Sequence, residues 1–435
     1  MTTMTAQQVD QVSAKQATRR LLPRGGHGLN LDQHIAVHGA PAYRGQSRAL
    51  VTELRDAGLT GRGGAAFPVH RKMAAVLAAG AAAGRPVVVA NGAEGEPAAH
   101  KDKTLLTLDP HLVLDGLQLA AEAVHARAAY LYVHRDARLV RRVDEAVAQR
   151  RAAGVDRVII HVTYAPPRFL AGQESALVHR IEGGPAVPRY SSRLVAECGV
   201  GGAPTLVQNV ETLAHVALIA RHGAPWFRQA GTPQEPGTML ATVHMSDGQA
   251  RVVETAPGAS ISHLLDLTNK LAQAVLVGGY HGVWLHQHKA VSIPLTNAAL
   301  AIEEAAIGAG VLAALPPDRC GVRETARVLR YLADESAGQC GPCLNGLPRI
   351  AEAWAVLAGP GAHPRLRNDL DRWAHLLDRR GACHHPDGST RFARSALRVF
   401  AEELWRHEQG TCTATNGAPF LPLPTAPPLT DEDWS

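Results

Sequence analysis

Arg85-Pro86-Val87-Val88-Val89-Ala90-Asn91-Gly92-Ala93-Glu94-Gly95-Glu96-Pro97 passes from a β-branched strand signal directly into a polar loop. Beyond it, Leu105 to Ala126 carries apolar residues at helical spacing, and Ala129-Tyr130-Leu131-Tyr132-Val133-His134 reads as a second strand. Arg138 to Ala153 is a charged helix, and Val158-Ile159-Ile160-His161-Val162 is a third strand. Strands alternating with helices pack as a parallel sheet joined by right-handed crossovers. Such sheets bind ligands at the carboxyl ends of their strands. Asn91 opens the loop at one of those ends.

The chain has 435 residues, which at about 150 residues per domain implies roughly three domains. With 46% hydrophobic and 19% charged residues, global disorder is excluded. A net charge of +5 without a basic, aromatic-laced patch excludes nucleic acid as a partner. No apolar run reaches the roughly 20 residues of a spanning helix, and Met1 to Asp10 lacks the apolar segment of a signal peptide. These features predict a cytoplasmic protein with reduced thiols and no direct membrane insertion. Residues 1–25 read as a loose polar lead-in. Residues 237–295 alternate short strands (Gly237–Val243, Val252–Thr255, Ala274–Gly279) with a helix at Ile261–Leu271. Residues 320–408 carry helical periodicity in runs at Val322–Ala333, Leu347–Leu357, Leu366–Leu377 and Arg391–Trp405. The Pro- and Thr-rich tail, Thr413 to Ser435, reads as a disordered or extended arm.

Four loops carry chemistry. In Gly58-Leu59-Thr60-Gly61-Arg62-Gly63-Gly64-Ala65-Ala66-Phe67-Pro68, followed by Lys72, glycines allow close approach of backbone N–H groups to a phosphate. The helix starting after Pro68 presents its positive end. The loop fits neither the P-loop nor the dinucleotide fingerprint, and a plain surface turn is the competing reading. Asn91, Glu94 and Glu96 bring an amide and two carboxylates to a strand end, suited to ribityl, ring-edge or ribose hydrogen bonds or simply to a solvated turn. Phe169-Leu170-Ala171-Gly172-Gln173-Glu174 and Gln208-Asn209-Val210-Glu211 each read, taken alone, first as capped helix starts. Among the six cysteines, Cys340-Gly341-Pro342-Cys343 is a C-x2-C with Cys383 further on. This pattern suits zinc, an iron–sulfur cluster or redox chemistry. Cys198, Cys320 and Cys412 read as scattered bystanders.

In combination and order, these segments resemble the flavin-carrying, NADH-oxidising subunit of respiratory complex I and its relatives in NAD-reducing hydrogenases and NAD-linked formate dehydrogenases. The family's G-L-x-G-R-G-G-A-G-F-P matches Gly58–Pro68 except at Ala66, and its N-x-D-E-x-E-P matches Asn91, Glu94, Glu96 and Pro97. Its G-E-E-T-A-L appears as Gly172–Leu177, its N-N-V-E-T-L as Gln208–Leu213, and its cluster motif around Cys340 and Cys343. The resemblance implies an α/β fold: a Rossmann-like FMN/NADH domain over 1–236, a β-grasp-like (SLBB-type) α+β domain over 237–319, an iron–sulfur-type helical bundle over 320–410 and a tail over 411–435. It implies that Gly61, Arg62, Gly63, Gly64, Ala65 and Lys72 hold FMN, with Asn91, Glu94, Gly172, Gln208 and Asn209 completing the site. Phe67 would stack on the nicotinamide nucleotide, Glu96 and Glu174 would meet it, and Phe169 and Gln173 would border the cofactors. The implied companion is a thioredoxin-like or ferredoxin-like [2Fe–2S] subunit, with a membrane-bound acceptor as the other option.

The departures are Ala93 for Asp, Gln173 for Glu, Met73 for an aromatic, Leu344-Asn345 for Arg-Glu and, above all, Ala337 for the first cluster cysteine. Cys340, Cys343 and Cys383 alone suit a [3Fe–4S] cluster. A [4Fe–4S] cluster requires Asp334, Glu335, His384, Cys320, solvent or a partner as fourth ligand. An empty or zinc-filled site is the remaining option. The leading reading is an electron-entry flavoprotein oxidising NADH. Its alternatives are a non-catalytic flavin-binding scaffold and a zinc-stabilised interaction protein.

Overall fold

The computed structural model describes residues 19–45, 48–424 and 431–435. Most of the expected lead-in over residues 1–25 lies outside these. In the N-terminal part, α1 (Leu31–His38), α2 (Ala49–Ala57) and α3 (Val69–Ala83) precede β1 (Val87–Gly92). Then follow α4 (Lys101–Leu108), α5 (Pro110–Ala123), β2 (Ala128–His134), α6 (Ala137–Ala153), β3 (Ile160–Ala165), α7 (Glu174–Ile181), β4 (Thr205–Asn209) and α8 (Val210–Phe227). The strands are all parallel, in the order β3-β2-β1-β4. The chain winds outward from β1 through β2 to β3, then returns to lay β4 on the other side of β1. That reversal opens a crevice at the carboxyl ends of β1 and β4. The register sets Asn91 opposite Asn209 and Ala90 opposite Gln208.

The expected single helix from Leu105 to Ala126 is two helices broken at Asp109. Pro110 lacks an N–H and suits a first helical turn, and the Asp109 carboxylate accepts from Leu112 N–H. Asp109 also bonds His34, whose other ring nitrogen lies 2.9 Å from Asp115. Arg150 pairs with Asp115 at 2.7 Å, so these buried charges are compensated. The third strand lies over Ile160–Ala165, displaced from the expected Val158–Val162. The core around this sheet is built from Leu, Val and Ala, as the low aromatic content requires.

The second sheet contains β5 (Met239–His244), β6 (Ala250–Thr255), β7 (Ala274–Val277), β8 (Val283–His286) and β9 (Val311–Leu315), in the order β6-β5-β9-β7-β8. Only the β5–β9 pair is parallel. The helix expected over Ile261–Leu271 is only α9 (Ile261–Leu264), because Asp266 turns the chain out at φ +54°. Short helices α10 (Gln287–Ser292) and α11 (Asn297–Ala301) complete this part.

The bundle comprises α12 (Gly321–Asp334), α13 (Leu347–Ala358), α14 (Arg365–Leu377), α15 (His385–Val399) and α16 (Ala401–Glu408). The run Arg391–Trp405 spans a break between α15 and α16 at Phe400. That ring is buried edge-on against Trp284, at 5.2 Å, and against Gly321. Residues 411–424 form no loose arm. Phe420 and Leu421 donate their N–H groups to Glu324 on α12, and Leu421 is buried. Near the C-terminus, Trp434 is buried beneath the Arg168 guanidinium at 3.8 Å. Residues 425–430 lie outside the described set. No helix among the described residues is long and apolar enough to cross a membrane.

Candidate functional site

The glycine loop is pinched at its base by an antiparallel bridge between Thr60 and Pro68, and Gly61 N–H donates to Phe67 O at 2.9 Å. Its tip hangs over the crevice. A Cβ on Gly63 would sit 3.3 Å from Asn209 Cβ, so a side chain there would push the loop and Asn209 apart by a few tenths of an ångström. Ala66, where the related pattern has glycine, takes φ +50° in the left-handed region. Ala65 is exposed, and the Phe67 ring is 53% exposed at the mouth.

Arg62 anchors the loop. Its N–H donates to Thr212 Oγ1 at 2.8 Å, and its guanidinium donates to the carbonyls of Pro236 and Thr238 at 3.3 and 3.1 Å. The guanidinium thus joins the loop to the second sheet. On α3, Lys72 donates to Glu174 Oε1 on α7 at 2.6 Å. Gly64 packs over Gly308, from the segment before β9.

Beneath the loop, Asn91 Nδ2 donates to Gly172 O at 2.8 Å. A Cβ on Gly172 would lie 2.5 Å from Ala93 O, and one on Gly95 would lie 2.3 Å from Phe169 O. The acidic loop and the Phe169–Gly172 turn therefore interlock. Gln173 caps α7, accepting from Ser175 and Ala176 N–H at 2.8 and 2.9 Å. Asn209 caps α8 through Glu211 N–H at 3.0 Å, and its Nδ2 donates to Asp102 at 2.6 Å. Both capped-helix readings thus hold geometrically. Gln208 Nε2 is buried and meets no acceptor among the described residues.

The two carboxylates face apart. Glu94 accepts from the N–H groups of Asp102 and Lys103 at 3.3 and 3.2 Å, at the start of α4. Burial, then the charge of Asp102, pushes it up to about 8. Glu96 accepts from Tyr280 N–H at 2.7 Å and Ala98 N–H at 3.3 Å, and burial pushes it up to about 7. It ties the loop after β1 to the turn after β7: a Cβ on Gly279 would lie 2.6 Å from its carboxylate.

Sequence reasoning missed the group that supports this floor. Lys101 Nζ donates to Asp102 at 2.7 Å and Glu211 at 2.9 Å, all buried, and Glu211 also accepts from Leu240 N–H at 2.9 Å. Glu211 belongs to a quoted motif and Lys101 lies four residues past the end of another, yet nothing in their spacing announces that they meet.

Phe169 faces the bundle. Its ring centroid lies 4.7 Å from His281 and 5.6 Å from His385, and its N–H donates to Glu335 at 2.8 Å. Just beyond Glu335, Cys340, Cys343 and Cys383 converge. Burial, then Cys340, with Cys383 also contributing, pushes the Cys343 thiol up to about 12. Among the described residues these three sulfurs do not all lie within the 4.8 Å that groups donors around one ion. Ala337 packs beside the Leu170 and Trp434 cluster. His384 is exposed, with Nδ1 at 3.2 Å from Asp387.

A model described as the Nuo51 FMN-binding domain matches residues 54–218. A model of the NADH-ubiquinone oxidoreductase-F iron-sulfur binding region matches residues 323–407. The F 2 subunit of the NADH-quinone oxidoreductase of Rhizobium meliloti (strain 1021) is 28% identical, over 83% of this chain and 90% of its own. The HndC subunit of the NADP-reducing hydrogenase of Solidesulfovibrio fructosivorans is 29% identical, over 80% of this chain and 74% of its own. An NAD+-reducing [NiFe]-hydrogenase in the H2-reduced state superposes with a TM-score of 0.75 at 29% identity, over 82% of this chain and 62% of that one. This chain thus spans somewhat under two thirds of the solved chain it matches. These matches cover the crevice and the thiol cluster alike, and the chain belongs to the family of NADH-quinone oxidoreductase F subunits and their hydrogenase relatives.

Proposed function

We propose that this chain is the electron-entry flavoprotein of a larger redox assembly, oxidising NADH with FMN and delivering single electrons to an iron–sulfur carrier. The observation that carries this reading is the pairing of Asn91 with Asn209 at the strand-order reversal, directly under the glycine loop. The residues fit a flavin nucleotide. The crevice offers a buried amide donor on Gln208 without an acceptor among the described residues, beneath a glycine loop held close to Asn209 at Gly63.

FMN, when bound, supplies hydride acceptance and release of electrons one at a time. The backbone of Gly61, Gly63, Gly64 and Ala65, with Lys72, would hold its phosphate. Asn91, Glu94, Gly172, Gln208 and Asn209 would fix the rest. Arg62 would act by holding the loop against the second sheet. Phe67 offers an exposed ring for the nicotinamide nucleotide to stack on, and Glu96, Phe169, Gln173 and Glu174 would border that nucleotide. A carboxylate near the adenosine ribose favours NADH over a 2′-phosphorylated nucleotide.

Cys340, Cys343 and Cys383 would hold an iron–sulfur cluster. Three thiolates suffice for [3Fe–4S], and [4Fe–4S] needs a non-cysteine fourth ligand because Ala337 offers none. Relatives named as subunits support a companion subunit. We assign that role to a thioredoxin-like or ferredoxin-like [2Fe–2S] protein, or to a membrane-bound acceptor, on the cytoplasmic side.

Anaerobic purification with flavin, iron and sulfide analysis, followed by NADH titration, tests the reading. A yellow protein bleached by NADH is expected. Bound flavin that NADH does not reduce would favour the non-catalytic scaffold instead.

A further inference from the structure

A second set of metal-ligating side chains gathers at the N-terminal end of α12. Cys320 caps the N-terminus of α12, Glu403 and His407 lie one turn apart on α16, and Cys412 follows α16. One donor atom from each of the four lies within 4.8 Å of all the others. Cys320, Glu403 and His407 are buried. We propose that Cys320, Glu403, His407 and Cys412 bind one structural zinc ion, separate from the Cys340, Cys343 and Cys383 cluster.

The separations among Cys320, Glu403 and His407 are close to those of a tetrahedral site. Metal bonds of about 2.3 Å to sulfur and about 2.0–2.1 Å to nitrogen and oxygen place the ligand atoms roughly 3.4–3.8 Å apart. Cys320 Sγ lies 3.4 Å from His407 Nε2, which lies 3.4 Å from Glu403 Oε1, and Cys320 Sγ to Glu403 Oε1 is 4.0 Å. Two sulfurs, one imidazole and one carboxylate form a closed donor set that suits zinc, with no position left for substrate.

The surroundings orient these ligands. His407 Nδ1 lies 2.9 Å from Leu357 O, so it carries the proton and Nε2 turns its lone pair toward the thiols. Arg323 N–H donates to Cys320 Sγ at 3.4 Å, and Thr413 N–H donates to Glu403 Oε1 at 2.9 Å. A bound ion would close the chain from 320 to 412 around all three thiols of the other cluster. It would also fasten the segment that carries Phe420 and Leu421 onto α12. The sequence hid this because Cys320 and Cys412 have no shared motif.

The test is metal analysis of the full-length protein as isolated from zinc-replete cells. About one zinc per chain is expected. Cys412→Ser and His407→Gln should each lose it while keeping flavin and iron, and Cys340→Ser should lower iron and keep zinc. X-ray absorption at the zinc edge of the unmutated protein needs no variant to fold. It should show about two sulfur neighbours near 2.3 Å with nitrogen and oxygen near 2.0–2.1 Å. Background zinc, zinc that departs with Cys340→Ser, or a Cys320–Cys412 disulfide found by mass spectrometry would overturn the proposal.

Discussion

Lys72 Nζ lies 2.6 Å from Glu174 Oε1, tying the helix after the glycine loop across the crevice to the helix after Gly172. Both side chains are partly exposed, so the pair contributes at most about 1 kcal/mol to stability. Its chemistry is available to a ligand instead. Lys72→Met should leave the melting temperature within a few degrees of the parent while flavin occupancy or kcat/KM for NADH falls about tenfold, equivalent to about 1.4 kcal/mol. Flavin content, a thermal melt and steady-state rates decide it. A large loss of Tm with unchanged flavin and kinetics would make Lys72 a structural residue only.

Lys101 behaves in the opposite way. Its ammonium is buried between Asp102 and Glu211, so removing it strands two buried carboxylates. Breaking such a group costs about 3–5 kcal/mol. Lys101→Met should therefore lower the denaturant midpoint sharply. A variant as stable as the parent would show that water reaches these carboxylates.

Ala66 holds φ +50°, a conformation that an L-residue occupies at a cost of roughly 1–2 kcal/mol. Glycine loses more backbone entropy on folding, about 0.5–1 kcal/mol. The balance predicts that Ala66→Gly is neutral to about 1 kcal/mol stabilising. Chemical denaturation measures it, and a clear destabilisation would mean that the Ala66 methyl group packs productively.

The strand run ending at Asn91 and the loop glycines were legible because local periodicity and backbone freedom set them. What side chains do across the crevice was not. Nothing in Gly61-Arg62-Gly63 tells that the guanidinium reaches back to Pro236 and Thr238, or that Glu94 turns to the N–H groups of α4. The helix break at Asp109-Pro110 was locally encoded and was outweighed by the apolar spacing around it. Tail packing through Phe420 and Leu421 depends on a buried carboxylate, Glu324, that lies far off in sequence.

Glu96 links pH to stability. Burial raises its carboxyl from 4.5 to about 7, so the folded chain keeps a proton that the unfolded chain releases above about 4.5. The unfolded state then binds fewer protons, and stability from this group falls as pH rises from about 4.5 to 7 and levels off above. Glu96→Gln keeps an oxygen to accept from Tyr280 N–H and cannot ionise. Melting curves between pH 4 and 8, roughly bracketing the two values, should show a smaller decline in the variant than in the parent. Parallel curves would mean that Glu96 titrates as an ordinary carboxylate.

The three converging thiols carry the last prediction. Cys343 is buried and Cys340 and Cys383 are partly so, and burial raises the thiols of Cys343 and Cys383, which favours their neutral form in a metal-free protein. Thiolates form there when a cation compensates them. Cys340→Ser should therefore abolish iron and acid-labile sulfide while flavin content stays at the parent level. The NADH-reduced parent should show a paramagnetic signal that the variant lacks. Unchanged iron in Cys340→Ser would place the metal elsewhere. Loss of flavin together with iron would show that the bundle and the crevice fold as one unit through the Phe169–Glu335 contact.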